Sequence, residues 1–433
     1  MRILLVGIDC WNDSTNGNNV YSNWFTGFNA EFANIYLGPG IPENACCERY
    51  FQITDKMMAQ SLYSKRAGKC FCIHLEEMQV KSADSPSIES DETVYKKAKA
   101  FSGQILYLIR DILWSTGRIN KKALKDFISD FNPDIIFCPH LYSVRVRRVE
   151  RIIHSICNAP MVGFTGDAEV SLHNISFNPL FWIRRIPLHW SYAKHIKIFK
   201  HYFTFSEKQC EEIIKQYGVP SSTLYKCTEC KPIKEKETNS PLKIVYAGRL
   251  YCNRWKTISA IGDALMVLNE DSVKSEVFVY SQDQLTTKQK EALSPNKFIH
   301  FMGATHPSNL PSIYQDADVA LHVESFDKKY RLDTMHSLST KIIDLMSSTC
   351  AILAICWEQN NGWNYLKRED AAICISKTEE ILPTLREIVS KPQIIKDYAK
   401  KANECGRRNH SKEHIQEQIR NIFINIINQS NPS

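Results

Sequence analysis

The sequence predicts an α/β protein built from two Rossmann-like domains, each a doubly wound parallel sheet. Short apolar runs suited to buried strands alternate with segments of helical spacing along nearly the whole chain. Such alternation produces parallel strands, because each return to the same edge of a sheet requires a crossover connection. The 433 residues also exceed one ordinary core and suit two domains of roughly 200 residues each.

A charged segment rich in breaker residues marks the boundary between the two predicted domains. Residues 228–241 have this composition, and we assign them as the interdomain linker. The N-terminal domain is then residues 1–227, and the C-terminal domain is residues 242–405. Residues 406–433 continue as a helix, with apolar side chains at Ile415, Ile419, Ile422 and Ile426.

The elements of the N-terminal half follow from apolar runs and helical spacing. Strands are predicted at residues 2–8, 34–40, 50–54, 134–138, 161–163, 202–206 and 224–227. Helices are predicted at residues 20–30, 95–114 and 144–157, and at a segment that ends at Gly218. Residues 81–93 are rich in serine and acidic residues without an apolar period, which predicts a mobile surface insertion.

The C-terminal half repeats the alternation. Strands are predicted at residues 243–247, 276–280, 298–302, 319–323, 351–355 and 371–375. One helix is predicted to end at Leu268, and two more are predicted at residues 307–315 and 378–389. This pattern predicts a second sheet of parallel strands.

Residues 318–355 form the segment on which the functional prediction depends. Two apolar runs, residues 319–323 and 351–355, enclose a helix that Ser339 can cap and whose inner face includes Ile342. Ser339, Thr340 and Lys341 would form its first turn, where unpaired N–H groups and partial positive charge suit a phosphate. Asp344 lies one turn further along, placed for a ribose hydroxyl.

These residues resemble the donor-nucleotide site of retaining GT-B glycosyltransferases of the family-four type. The resemblance lies in ADVALHVESFD, the helix start STKIID and the strand AILAI, and is closest to the branch that builds bacterial surface polysaccharides. It implies two domains that face a central cleft and a final helix that crosses back to the N-terminal domain. It also implies that Ser339, Thr340 and Lys341 bind the donor pyrophosphate and that Asp344 binds the ribose.

A second motif extends the resemblance to the start of the C-terminal domain. GRLYCNR, residues 248–254, is similar to the family's G-R-L-x-x-x-[KR] motif, whose two cations neutralise the donor pyrophosphate. The resemblance gives these roles to Arg249 and Arg254, with Lys256 as a further donor-binding cation. Fixed cations can stabilise the charge of a departing nucleoside diphosphate without a metal ion. In the family, the backbone at the position of Gly303 and Ala304 contacts the nucleotide base.

Two features depart from the family pattern. The family usually places two carboxylates eight positions apart, but His336 stands eight residues before Asp344. Glu324, at the end of a predicted strand, is the favoured donor-sugar contact, and His336 is the alternative. The family's first loop is glycine-rich, whereas here Gly17 is its only glycine. Gly17 and Asn18 are candidate donor-binding residues, and the alternative is a solvated loop with local turns.

A carboxylate directly after the strand at residues 161–163 is a candidate catalytic base. Asp167 or Glu169 could accept a proton from an acceptor hydroxyl, and we select Asp167 as the candidate. The alternative is that Asp167 caps a short helix, which is a common role for aspartate.

Residues 181–203 interleave aromatic and apolar side chains with five cations. The cations are Arg184, Arg185, Lys194, Lys197 and Lys200. This composition suits the headgroup zone of an anionic membrane, and the alternative is a buried helix pair with a wet cationic face. No charged leader and no apolar stretch of roughly 20 residues occurs, so we expect a cytoplasmic protein that attaches at most peripherally to the inner membrane.

Composition argues against several other classes of function. The net charge of +7 is modest for this length, and no nucleic-acid-binding module is recognisable. The 15 cysteines are thinly spread and fit a reducing compartment. Cys227 and Cys230 have the spacing of zinc ligands, but no second pair accompanies them, so we predict no metal site and no cofactor.

The resemblance therefore predicts a hexosyltransferase that moves a sugar from a nucleotide-sugar to a glycan or lipid-linked acceptor. It implies retained anomeric configuration, metal independence and a role in polysaccharide biosynthesis. Two alternatives use the same fold: a nucleotide-sugar 2-epimerase, and a non-catalytic nucleotide-binding subunit. The second is motivated by His336 in place of glutamate and by the glycine-poor first loop.

Overall fold

The computed structural model describes residues 1–13, 20–73, 103–139, 142–166, 171–233, 236–293 and 295–430. By its internal contacts the chain divides into two compact units. Unit 1 combines Met1–Leu224 with Gln416–Ser433, and unit 2 is Tyr225–Ile415. The predicted insertion at residues 81–93 and the first part of the predicted helix at residues 95–114 lie outside the described residues.

Unit 1 contains a sheet that is parallel except at one edge. Its strands are β1 (Arg2–Gly7), β2 (Glu31–Tyr36), β3 (Arg49–Gln52), β4 (Lys69–Cys72), β5 (Ile135–Pro139), β6 (Met161–Thr165), β7 (Phe199–Thr204) and β8 (Ser221–Thr223). In the described residues their order is β4-β3-β2-β1-β5-β6-β7-β8. Among these eight strands, β3 and β4 pair antiparallel and the other neighbouring pairs are parallel. The central strands β1 and β5 are buried on both faces, which is why they consist of continuous apolar runs.

Helices cover the faces of this sheet. They are α1 (Val20–Phe25), α2 (Asp55–Gln60), α3 (Gly103–Thr116), α4 (Lys121–Phe131), α5 (Val144–Ile156), α6 (Pro179–His195) and α7 (Glu207–Tyr217). The C-terminal helix α16 (Lys412–Ser430) has most of its residues in the same unit. Its Phe423 is fully buried, and the Phe423 ring centroid lies 5.6 Å from that of Phe137 in β5.

Unit 2 contains a fully parallel sheet. Its strands are β9 (Leu242–Ala247), β10 (Ser275–Tyr280), β11 (Ile299–Gly303), β12 (Val319–Val323), β13 (Ala351–Ile355) and β14 (Ile373–Ile375). In the described residues their order is β11-β10-β9-β12-β13-β14, and every neighbouring pair is parallel. The two sheets with their helices confirm the predicted fold class of two doubly wound domains.

The first six helices of unit 2 lie in the connections between these strands, and the last two follow β14. They are α8 (Arg254–Leu268), α9 (Thr287–Leu293), α10 (Leu310–Gln315), α11 (Lys328–Thr334), α12 (Thr340–Met346), α13 (Asn361–Arg368), α14 (Ile381–Ser390) and α15 (Gln393–Asn409). Residues 228–233 and 236–241, the described parts of the predicted linker, belong to unit 2 by their contacts. Asn239, for example, donates a 3.1 Å hydrogen bond from Nδ2 to Asp318.

Several predicted elements differ from those in the structure. The predicted helix at residues 20–30 ends at Phe25, and Gly27 then adopts a φ of 75°, which a continuing helix does not permit. The last strand of unit 1 is Ser221–Thr223 rather than residues 224–227. Strand β4 and helices α2, α4, α9 and α11 were not predicted. Within the described ranges, we find no helix with the length and hydropathy that a membrane crossing requires.

Candidate functional site

The candidate site lies where the strand order of the second sheet reverses. Strands β9, β10 and β11 extend from this point to one side, and β12, β13 and β14 extend to the other. In open parallel sheets, ligands bind outside the carboxyl ends of the strands at such a reversal. Gly248 and Arg249 directly follow β9, and Glu324 directly follows β12.

Arg254 and Glu324 form a nearly buried two-point ion pair at this position. Arg254 Nε and Nη2 donate to the two carboxylate oxygens of Glu324 at 2.9 and 2.6 Å. The side chains are only 11% and 6% exposed. Burial lowers the pKa of Arg254, but the negative charge and hydrogen bonds of Glu324 outweigh burial and raise that pKa overall. Glu324 therefore orients the guanidinium, and Arg254 remains charged at any physiological pH.

Local backbone geometry places this pair. Cys252 and Asn253 both adopt left-handed conformations, with φ of 56° and 59°, so that α8 begins at Arg254. Thr257, one turn into α8, donates a 2.8 Å hydrogen bond to the carbonyl of Glu324. The helix start and the strand end are thus fixed to each other.

Lys341 contributes a second positive charge to the site. Its side chain is partly buried, and Nζ lies 5.5 Å from the ring centroid of Tyr246. Burial is the largest cause that lowers the pKa of Lys341, to about 8, and the charge of Arg254 adds to the effect. Among the described residues the ammonium has neither a hydrogen-bond acceptor nor an ion-pair partner. It is therefore a cation available to an anionic ligand.

Gly248 makes room for this ammonium. An ideal Cβ on Gly248 would lie 1.7 Å from Lys341 Nζ, which is far inside contact distance. The side chain of Lys341 thus occupies the space that any other residue at position 248 would fill, beside the backbone at the end of β9.

Arg249 and Lys256 are held by carboxylates at the edge of the site. Arg249 Nε lies 2.7 Å from Asp283, and its side chain is 54% exposed. Lys256 Nζ lies 2.8 Å from Asp327. Hydrogen bonds from Lys256 and then Asn253 lower the pKa of Asp327. Both cations therefore keep a charged partner in this structure, unlike Lys341.

The start of α12 is short and differs in detail from the predicted phosphate-binding turn. Ser339 precedes the helix without a capping side-chain hydrogen bond, and the helix has seven residues, Thr340–Met346. Its inner face, including Ile342, is buried as predicted. The carboxylate of Asp344, predicted to bind a ribose, lies 2.6 Å from Lys226 Nζ.

The structure describes three further predicted site residues, Gly303, Ala304 and His336. Gly303 is the last residue of the edge strand β11, which lies two strands away from β9, and it has a φ of 78°; Ala304 directly follows it. His336 lies partly buried between α11 and α12. Gly17, Asn18 and Asp167 lie outside the described residues.

Sequence reasoning missed four residues that shape the site. Asp283 and Asp327 hold the flanking cations, and Gly248 makes room for Lys341. His322 is buried beneath the site, and burial is the main cause that lowers its pKa to about 3. A signal existed for Asp283, because it is an acidic residue just after a predicted strand that ends at the same edge of the sheet.

No metal cluster is found in the part of the chain that the structure describes: no group of three or more His, Cys, Asp or Glu side chains is placed to hold an ion there. Neither Cys227 nor Cys230 forms a disulfide bond with another cysteine of the described residues. Burial raises the pKa of both, to about 12 and about 11 respectively, which disfavours the thiolate that binds metals.

No protein-family model and no curated protein matches the sequence. Solved structures do match the fold. Sucrose-phosphate synthase from Thermosynechococcus elongatus has a TM-score of 0.58 at 12% identity and covers 99% of both chains. Anabaena HepE in complex with UDP has a TM-score of 0.60 at 11% identity, over 98% of this chain and 100% of HepE. TarM has a TM-score of 0.53 at 12% identity, over 71% of this chain and 58% of TarM, so the match spans less than two thirds of TarM.

Proposed function

We propose that this chain, which has the fold of the GT-B glycosyltransferases, transfers a glycosyl unit from a nucleotide-sugar donor to an acceptor hydroxyl. The observation that carries the proposal is the unpaired ammonium of Lys341, which stands beside Arg254 at the strand-order reversal of unit 2. Two positive charges at the carboxyl ends of β9 and β12 suit a diphosphate.

The proposed roles follow from the charges at the site. Lys341 and Arg254 hold the donor diphosphate, and Arg249 can exchange its exposed contact with Asp283 for a phosphate oxygen. As the bond to the sugar breaks, negative charge accumulates on the leaving diphosphate, and fixed cations stabilise it in a partly buried setting. We propose that these cations take the place of a metal ion. Glu324 positions Arg254 and is the proposed donor-sugar contact, with Asp344 near the ribose.

UDP-sugars are the first donors to test. HepE and TarM have both been solved with UDP, and the TarM complex also holds fondaparinux and α-GlcNAc-glycerol. We propose by analogy a UDP-sugar donor and a glycan or lipid-linked acceptor for this chain. Retention of configuration would follow if the leaving diphosphate, held by Lys341 and Arg254, accepts the proton of the incoming hydroxyl on the same face of the sugar.

An anionic membrane is a proposed partner of unit 1. On α6, Ile183 and Trp190 are 56% and 73% exposed and Lys194 is also exposed; Lys197, in the turn that follows α6, is exposed as well. Aromatic and basic side chains together suit an anionic headgroup zone. Arg184 was predicted to join these cations, but its Nε lies 2.7 Å from Asp111 of α3, so it is engaged within the fold.

The test is donor binding and turnover by the full chain with the Lys341→Ala variant. We expect UDP at 100 times its Kd to stabilise the wild-type fold by about 2.7 kcal/mol, and Lys341→Ala to lose most of this stabilisation. Lys288→Ala, which removes an exposed lysine from α9, is the matched control and should bind like the wild type. Wild-type stabilisation in Lys341→Ala would contradict the assignment. Turnover of donor without any acceptor would favour the 2-epimerase instead.

A further inference from the structure

Unit 1 contains a basic cavity whose lining includes none of the residues assigned to the donor. It has a volume of about 480 Å³ and is bounded by the C-terminal end of α3, the start of α4 and one side of α5. Lys121, Arg147, Arg148 and Arg151 contribute four positive charges, and the cavity lining includes no carboxylate. Its volume falls within the range of about 300–1,000 Å³ that is usual for small-molecule sites.

The three arginines lie on one face of α5. The positions of Val144, Arg147, Arg148, Arg151, Ile152 and Ser155 follow the helical spacing of three, four and seven residues, so all six side chains line the cavity. Arg147 and Arg151 are four residues apart, and like charges at this spacing destabilise a helix. The arrangement therefore has an unfavourable electrostatic term that an anion in the cavity would remove.

Only one of these arginines has a role in the fold itself. Arg148 donates from Nη1 to the carbonyl of Trp114 and from Nη2, at 2.7 Å, to that of Gly117, and so holds the end of α3 against α5. In the described residues, the side chains of Lys121, Arg147 and Arg151 form neither a hydrogen bond nor an ion pair with any other group. Three cations thus converge on the cavity without a partner.

The hydroxyl groups of the lining cannot replace these cations as donors. Ser115 and Ser155 donate to the backbone carbonyls of Asp111 and Ile152, both at 2.7 Å. The groups that can donate to a ligand are therefore the guanidinium groups and the ammonium. Guanidinium groups bind phosphate oxygens in pairs, and several of them together suit a group with three acceptor oxygens.

We infer that this cavity binds a phosphate or phosphodiester group carried by a larger molecule, through Arg147, Arg151 and Lys121, with Arg148 as the fixed base of the site. The ligand is either a soluble phosphorylated compound or the headgroup of an anionic lipid. Both present the same chemistry to the cavity, and the experiment distinguishes them.

The test compares two charge-matched double variants of the full chain. Arg147→Gln/Arg151→Gln removes two cations from the cavity. Lys122→Gln/Lys125→Gln removes two exposed cations from α4 outside it. Binding of glycerol 3-phosphate is measured by calorimetry, and binding to phosphatidylcholine vesicles with and without phosphatidylglycerol is measured by sedimentation. Circular dichroism and Tm check the fold, which we expect to persist because Arg148 is retained.

We expect Arg147→Gln/Arg151→Gln to weaken at least one of these two interactions tenfold or more, and the control to stay within twofold of the wild type. A loss confined to glycerol 3-phosphate identifies a soluble ligand, and a loss confined to anionic vesicles identifies a lipid headgroup. Equal weakening in both double variants, or no binding by the wild type, overturns the inference. So does loss of glycerol 3-phosphate binding in Lys341→Ala with wild-type binding in the arginine variant, because the probe would then occupy the donor site.

Discussion

Lys341 and Gly248 act as a pair, because the absence of a side chain at one creates the position of the other. The lysine stem passes into a partly buried setting where burial and Arg254 lower the pKa of the amine to about 8. Arg254 and Glu324 satisfy each other by two hydrogen bonds, so the net positive charge of this group of residues comes from Lys341. The chemistry of the proposed site is therefore most sensitive to where this one ammonium stands.

Gly248→Ala should displace that ammonium with little effect on folding. The added methyl carbon would lie 1.7 Å from Lys341 Nζ and 3.2 Å from the hydroxyl of Tyr246. Nζ is the end of a flexible side chain, so we expect the free energy of unfolding to change by less than about 1 kcal/mol. UDP affinity should fall about tenfold, because misplacing a positioned charge by about 1 Å is costly.

The control for this substitution is Gly103→Ala, where an added Cβ meets no atom closer than 4.0 Å. Calorimetric titration with UDP gives the affinities, and urea unfolding gives the stabilities. Wild-type UDP affinity in Gly248→Ala would mean that the position of Lys341 does not matter for the donor.

Lys341 should also give donor binding a pH dependence opposite in sign to its effect on folding. Lys341 attracts a diphosphate only when its amine is protonated. The Kd for UDP should therefore rise as the pH increases above about 8, by about tenfold per pH unit at most. Between the folded pKa of about 8 and the unfolded value of 10.5, the unfolded chain binds more protons. This residue therefore favours the folded state increasingly as pH rises through that window.

Lys341→Gln is the matched variant for the pH profile. Its UDP affinity should be weaker throughout and nearly independent of pH between 8 and 10. Calorimetric titrations at half-unit steps give the profile. The same slope in the wild type and in the variant would assign the titration to another group.

At the scale of elements, the sequence predicted the buried strands well and the short polar elements poorly. Strands β1, β5, β12 and β13 are buried on both faces, so their continuous apolar runs were sufficient to identify them. Strand β8 is the polar sequence SST, and β4 is the four-residue antiparallel edge strand KCFC, whose residues are mostly exposed. These strands form by pairing with a neighbouring strand, and the sequence of a strand alone does not indicate that pairing.

In the candidate site, too, some features were predictable from the sequence and others were not. Arg254, Glu324 and Lys341 became candidates through the resemblance to the family motifs, together with their places at the ends of predicted strands and the starts of predicted helices. Their mutual geometry was not predictable, because the Arg254–Glu324 pair joins residues 70 positions apart. The partners Asp283 and Asp327 lie in short loops whose conformation depends on the side chains they hold.

At the scale of the whole molecule, both units have a sheet whose strand order reverses once, but only one unit is formed by a continuous segment of the chain. In the first sheet the strand order reverses between β1 and β5, and in the second between β9 and β12. Unit 2 is one continuous segment, whereas unit 1 takes its last residues from the far end of the chain. The stability of unit 1 therefore depends on residues that follow the whole of unit 2 along the chain.

Phe423 is the residue through which this dependence can be measured. Its ring is fully buried and lies against Phe137 of the central strand β5, which also contacts Trp24 of α1 at 5.9 Å between ring centroids. Phe423→Ala would leave a cavity in this aromatic cluster, and we expect a loss of about 3–5 kcal/mol in the free energy of unfolding of unit 1. Ile424→Ala, at a neighbouring position that is 41% exposed, is the control and should cost less than about 1 kcal/mol.

Hydrogen exchange followed by mass spectrometry localises the effect. Peptides that contain β5 should exchange faster in Phe423→Ala, whereas peptides that contain β12 and β13 should keep the wild-type rate, because those strands belong to unit 2. Equal acceleration in both sets of peptides would show that the two units unfold as one cooperative body. Unchanged exchange in β5 would show that the C-terminal helix does not stabilise the first sheet.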